Sequence, residues 1–211
     1  MVIEIIFDAI LNPLLSLPDW LSILIFATFI IIITNLIYKY TLDQKKIAEM
    51  KAEMKEIQKR AKEAPNEEKM KHLSEMNEIN SKYMMMTMKP MMITMLVVIL
   101  FIPWLSHNYG DIHLKGSNGT AVIFGNNVTY KIADNSIVIG GKNLSDGDSL
   151  YIDGKKFYVY KKNDGIKLSR VVLHSPIPLP FTGKDWGWLA YYFVVSTPLS
   201  IILRKVMGVK I

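Results

Sequence analysis

Three apolar runs interrupt a chain that is otherwise dense in charge. No Asp, Glu, Lys or Arg occurs in the 19 residues between Asp19 and Lys39, the 21 between Lys89 and Asp111, or the 18 between Asp185 and Arg204. A helix needs ~20 apolar residues to cross a hydrocarbon core of about 30 Å. Each run therefore predicts a membrane span, bounded at 19–39, 84–106 and 186–204. Ahead of the first span, Glu4, Asp8 and Asn12 recur every four residues on an otherwise apolar segment, until Pro13 and Pro18 break it. A narrow polar stripe of that kind predicts an amphipathic helix over 1–18, lying in the membrane interface.

Between the first two spans the period is heptad. Ile47, Met50, Met54, Ile57, Ala61 and Ala64 follow spacings of 3, 4, 3, 4 and 3, with charges filling the other positions. Pro65 interrupts, and Asn66 stands where a new helix would be capped, with Glu67 and Glu68 in its first turn. Leu73, Met76, Asn80 and Tyr83 are the expected inner face of the second arm. Both ends of 40–83 are tied to spans, so the helices run out and back as an antiparallel coiled-coil hairpin. An arm of about 25 residues would reach roughly 35–40 Å. A solvated charged linker is the alternative, but a linker would not keep the seam.

Beyond the second span the period changes to two. Thr120–Phe124, Val128–Ile132, Ser136–Ile139, Leu150–Ile152, Lys156–Tyr160 and Lys167–Leu173 are β-rich runs separated by Gly, Asn and Asp. Asp153-Gly154 between two alternating runs is a strong hairpin signal. Ile112–His174 therefore predicts a small antiparallel all-β insert of about 60 residues, which with the Pro-rich connection Ser175–Pro180 makes up the segment 107–185. The fold class is a mainly α membrane protein: three transmembrane helices, a cytoplasmic hairpin between the first two and a small all-β extracytoplasmic insert between the last two.

Composition and charge refine this picture. Half of the 211 residues are hydrophobic while 21% are charged, a mixture that fits segregation along the chain. The first segment is not expected to be a cleavable signal, because residues 1–19 hold no Lys or Arg and the apolar run ends in Tyr38-Lys39-Tyr40. Glu4, Asp8 and Asp19 stand before the first span. Lys39, Lys45, Lys46, Lys82 and Lys89 flank the first two spans on one side, and Arg204, Lys205 and Lys210 follow the third. Basic residues near span ends mark the cytoplasmic side. The expected topology is a multi-pass protein of the cell membrane with its N-terminus outside and a basic cytoplasmic tail at 205–211. Three sequons, at Asn118, Asn127 and Asn143, all fall in the β insert and lend weak support to that orientation.

Candidate enzyme chemistry is sparse. With no cysteine, disulfide frameworks, zinc ribbons and thiol catalysis are excluded. The four histidines, at 72, 107, 113 and 174, lack metal-ligand spacing, and no carboxylate lies inside a span. No nucleophile elbow or phosphate-binding loop is present. The sequence predicts a protein that is not an enzyme, with no metal, no cofactor and no DNA partner. Its net charge of +6 suits anionic headgroups or a ribosome surface.

Two patterns remain. Met84, Met85, Met86, Met88, Met91, Met92 and Met95 crowd the entry to the second span. Clustered methionines make an adaptable apolar surface, the expected substrate-binding face; packing against lipid or neighbouring helices is the other reading. Polar residues in the spans are few and aligned: Thr28 and Asn35 in the first, Thr87 and Thr94 in the second, and Tyr192, Ser196, Ser200 and Arg204 in the third. They could line a polar groove open to the cytoplasm, or bond their own helix carbonyls and tune packing.

An outside N-terminus, a charged hairpin and a Met-rich second span together resemble the YidC/Oxa membrane insertase superfamily. The three-span form, with Met84–Met95 after the hairpin and Pro198 in the last span, looks like the archaeal YidC-like proteins. These are related to the third subunit of the ER membrane complex. The resemblance covers 1–105 and 186–211. Bacterial relatives carry an arginine within the first core span, whereas Trp20–Tyr38 has none. Either Lys39 or Arg204 supplies that charge from a helix end, or the groove is less electropositive.

The resemblance implies an insertase or chaperone that passes nascent transmembrane segments into the bilayer. Its partners would be membrane lipids, nascent membrane-protein chains, the ribosome and further subunits of a membrane complex. Near the hairpin tip Lys59, Arg60, Lys62, Lys69 and Lys71 are the ribosome-contact candidates; a solvated helix surface is the plainer reading. Two other classes fit less well. One is a scaffold or receptor with an outer β ligand-binding domain, and the other is an accessory subunit of a transporter. Neither needs a promiscuous apolar surface.

Overall fold

The computed structural model describes residues 11–133, 136–179 and 183–209. Its helices are α1 (Asp19–Thr41), α2 (Gln44–Glu63), α3 (Asn66–Tyr109) and α4 (Trp188–Met207). Between α3 and α4 run β1 (Ile112–Lys115), β2 (Asn118–Ile123), β3 (Asn126–Ile132), β4 (Ile137–Ile139) and β5 (Lys142–Leu144). They are followed by β6 (Ser149–Ile152), β7 (Lys155–Lys162), β8 (Gly165–Arg170), β9 (Leu173–Leu179) and β10 (Gly183–Trp186). Most of the expected interfacial helix lies outside the described residues; residues 11–15 are helical and turn into α1. The Pro18 carbonyl accepts from Leu21 and Ser22, and the buried Ser22 hydroxyl donates back to Leu14 at 2.5 Å.

Three helical stretches are long and apolar enough to cross a membrane: Asp19–Thr41, Glu68–Tyr109 and Trp188–Met207. In α3 and α4 only 11% and 6% of the apolar window is buried, against 39% in α1. Apolar surface on that scale is stable only under lipid or another protein. The second span is not a separate element from the charged arm before it. Helix α3 continues through Pro90 and Pro103, although each proline removes one helical hydrogen bond, freeing the carbonyls of Met86 and Ile99.

The chain divides into two compact units, Met1–Phe26 with Ile102–Val195, and Ala27–Phe101 with Ser196–Ile211. The first holds the β region. Two four-stranded antiparallel sheets, ordered β1-β8-β7-β6 and β2-β3-β4-β5, share one core. Alternating residues of both supply it, among them Ile123, Ile137, Ile139, Phe157, Val159 and Leu168. The expected hairpin at Asp153-Gly154 is present: both residues have positive φ (51° and 72°), joining Ile152 to Lys155. At Gly165, φ is 151° and a Cβ would collide with the Leu114 carbonyl, so only glycine lets β8 approach β1.

The β region exceeds what alternation alone predicted. β1, β5, β9 and β10 were not expected, and the run expected to continue to Leu173 ends at Arg170. The Pro-rich segment is a strand rather than a simple connection. Pro176 and Pro178 lie in β9 where its register with β10 is irregular: Leu173, His174 and Leu179 face β10 residues, and the Ile177 N–H between the prolines donates to Ser175 Oγ at 3.1 Å.

In the second unit α2 and α3 share an apolar cluster. Met50, Ile57 and Ile79 are buried in it, with Met54, Met76, Tyr83 and Met86 packed against them. The expected inner face of the second arm is corrected here. Leu73 is 44% exposed and Asn80 is exposed, while Ile79 and Met86 turn inward. Met76, Ile79, Tyr83 and Met86 keep a 3-4-3 spacing and replace a polar amide with an isoleucine, so the cluster buries no unpaired group.

Candidate functional site

The second unit carries most of the residues singled out by sequence. Helix α2 starts at Asp43, whose carboxylate accepts from the backbone of Lys45 and Lys46, both at 3.1 Å. Its seam then packs on α3 as described, and Lys51 lies 5.8 Å from the Tyr83 ring centre. A small cavity of about 490 Å³ is floored by Met50, Ile79, Met85 and Met86 and rimmed by Lys46, Glu49, Glu53 and Lys82. Of the seven methionines, Met86 belongs to the helix-packing cluster. The other six, Met84, Met85, Met88, Met91, Met92 and Met95, are 52–65% exposed.

The aligned polar residues meet different fates. The Thr87 hydroxyl lies 3.1 Å from the Tyr83 carbonyl and 3.0 Å from that of Met84, and Thr94 donates to Met91 at 2.9 Å. Both are satisfied within α3. Thr28, Tyr192, Ser196 and Ser200 are half-buried, and Arg204 is exposed in the last turn of α4 beside Lys205. Asn35 stands apart. It is 1% exposed, and its amide nitrogen has no hydrogen-bond partner among the described residues. An unpaired buried amide costs about 1–3 kcal/mol, so Asn35 holds a donor that the described residues leave unmet. Lys59, Arg60, Lys62 and Lys71 are exposed and Lys69 is half-buried; Arg60 pairs with Glu56 at 2.5 Å.

The first unit contains two charge networks that sequence reasoning missed. Arg170, at the end of β8, is 2% exposed in its side chain. It reaches Asp19 in the first turn of α1 through Nη2 (2.6 Å) and Nε (2.8 Å), and donates to the Asn108 carbonyl of α3 through Nη1 (2.5 Å). Lys155 joins Asp19 at 3.1 Å. The rings of Tyr109 and Phe124 each lie 5.1 Å from the guanidinium carbon. One buried cation thus ties the β region to the ends of two apolar helices.

The second network centres on Asp185. Its carboxylate accepts from Lys156 (2.7 Å), from the Tyr158 hydroxyl, and pairs with His174 Nδ1 (2.5 Å). Burial alone would raise the Asp185 pKa, but the bonds from Lys156, Tyr158 and His174 together outweigh it and hold the carboxyl far below the usual range. Lys156 is raised in return by its bonds to Asp185 and Tyr158. A cavity of about 1300 Å³ opens beside this network, between the strands and the first residues of α4. No spacing rule flags these residues: Asp19 and Arg170 lie 151 positions apart.

Three apolar helices, a charged helical segment between the first two and a β region between the last two define an integral membrane protein. A family model described as integral membrane protein EMC3/TMCO1-like matches residues 4–132, and the chain belongs to that family. The family is related to subunit 3 of the ER membrane complex and to the YidC/Oxa superfamily, and it is of insertase or chaperone type. The match takes in α1, α2 and α3 and ends with β3, so α4 and most of the β region lie beyond it. No curated protein and no solved structure matches the chain.

Proposed function

We propose that this protein is a membrane insertase of the archaeal YidC-like kind, which passes nascent transmembrane segments into the bilayer of the cell membrane. The observation that carries the reading is the exposed methionine face of α3, where the charged arm becomes an apolar span. Unbranched thioether side chains adapt to apolar segments of many shapes. Six together at a membrane mouth give a slide for substrates of no fixed sequence.

The mechanism is passive. Carrying a charged flank across hydrocarbon costs about 2.5–3.5 kcal/mol per residue even on lenient scales. A polar groove open to the cytoplasm, with Asn35, Thr28, Ser196 and Ser200 as its lining, shortens that path. Among these, Thr28, Ser196 and Ser200 are half-buried, while Asn35 is sealed from solvent with an unmet amide N–H. Burial of the substrate's own apolar segment in lipid then drives the step. In this reading the N-terminus lies outside, α2 and the first part of α3 form a cytoplasmic antiparallel hairpin, and the lysine-rich tip meets the ribosome. Proteoliposomes holding the full chain should integrate a single-span nascent substrate faster than protein-free liposomes do. Equal integration in both would overturn the reading.

A further inference from the structure

The cavity of about 1300 Å³ in the first unit has walls of opposite character. One wall is polar: Lys156 and Tyr158 of β7, His174 of β9 and Lys184 of β10 face it, with Asp185 fixing the first three in place. The other is apolar and belongs to the start of α4, where Leu189 and Phe193 are 48% and 60% exposed beside Trp188. Helix α4 is long and apolar enough to cross a membrane, so this wall continues into a span at the level where headgroups meet acyl chains. Tryptophan at that level is the ordinary interfacial anchor.

We propose that this cavity binds a phospholipid with an anionic phosphodiester headgroup, held by Lys184 and Lys156, with its chain lying along Leu189 and Phe193. Charge supports the choice. The lining has Lys156, Lys184 and Arg170 against Asp111 and Asp185, an excess of one positive charge that one phosphodiester neutralises. Arg170 and Lys156 are already paired, and Asp111 is met by Lys167. Lys184 is the exposed cation with no ion pair among the described residues. The volume exceeds the roughly 300–1,000 Å³ of a drug-sized pocket, as a headgroup with part of its chains requires. The site is built from residues outside the proposed substrate path, and it stands or falls independently of the insertase reading.

The test uses the full chain in phosphatidylcholine nanodiscs doped with a photoreactive phosphatidylglycerol. Crosslinks should concentrate on 183–193. Lys184→Gln, which leaves the Asp185 network intact, should lower that yield about fivefold, the loss expected for one charge-assisted contact. Phe193→Ser should lower it as well, while labelling of α1 stays unchanged in both variants. Equal labelling by a photoreactive phosphatidylcholine, a wild-type yield in Lys184→Gln, or an even spread over the three spans would overturn the proposal. Loss of labelling on addition of inorganic phosphate would assign the site to a free anion and overturn the lipid assignment.

Discussion

The guanidinium of Arg170 is nearly sealed from solvent, yet Asp19 and the Asn108 carbonyl occupy its donors. Replacing Arg170 with alanine leaves the half-buried Asp19 with Lys155 as its remaining cation, and loss of one partner of a fully buried pair costs at most about 3–5 kcal/mol. Thermal unfolding in detergent should show Arg170→Ala as strongly destabilising. The triple variant Arg170→Met, Asp19→Leu, Lys155→Met should recover much of the loss, because it leaves none of the three charges without its partner. Asp185 makes a different prediction. Its folded pKa is depressed, so its stabilisation is full above the unfolded carboxylate pKa of about 3.9 and fades as pH falls toward the folded value. Asp185→Asn should therefore be less stable than the wild type at neutral pH, with the gap closing below about pH 4. A constant gap across that range would remove the role given to its ionisation. Neither residue was legible in the sequence. Contacts between Asp19 and Arg170, or between Lys156 and Asp185, depend on how sheets and helices meet, and no local period encodes that.

Helices and strands were more readable, for a physical reason. The heptad seam of α2 recurs in the observed cluster through Met50, Met54 and Ile57, because 3.6 residues per turn puts those positions on one face. The partner face was misphased by a single residue at Asn80, where burial favours Ile79. Asp153-Gly154 was legible because the turn itself demands positive φ. β9 was not, because its prolines fall where its pairing with β10 is irregular and break the alternation that marks a strand. Two predictions belong to these elements. Converting Met84, Met88, Met91 and Met92 to leucine keeps the exposed apolar area of α3 but stiffens it, so reconstituted insertion should narrow in substrate range before it fails. Leu→Met reversal at the same positions should restore the range. Charge reversal at Lys59, Arg60 and Lys62 near the end of α2 should weaken ribosome co-sedimentation, most visibly at low salt. Unchanged binding would move the contact to another basic segment.

For the molecule as a whole, three spans and a β region between the last two were legible because bilayer thickness and β alternation each impose a length and a period on sequence. Membership of the EMC3/TMCO1-like family supports the insertase class. The polar groove is the part that sequence could not fix. Thr87 and Thr94 turn out to be satisfied within their own helix, and of the aligned residues Asn35 alone carries the unmet amide hydrogen bond seen among the described residues. The most direct measurement of the central claim is site-specific photocrosslinking to ribosome-bound nascent membrane proteins. Probes at Met88, Met92 and Met95 should capture the nascent apolar segment, with Ser196 and Ser200 capturing its polar flank, and probes at Leu100 should capture far less. Capture at Leu100 equal to that at Met92, or no capture along the methionine face, would contradict the account.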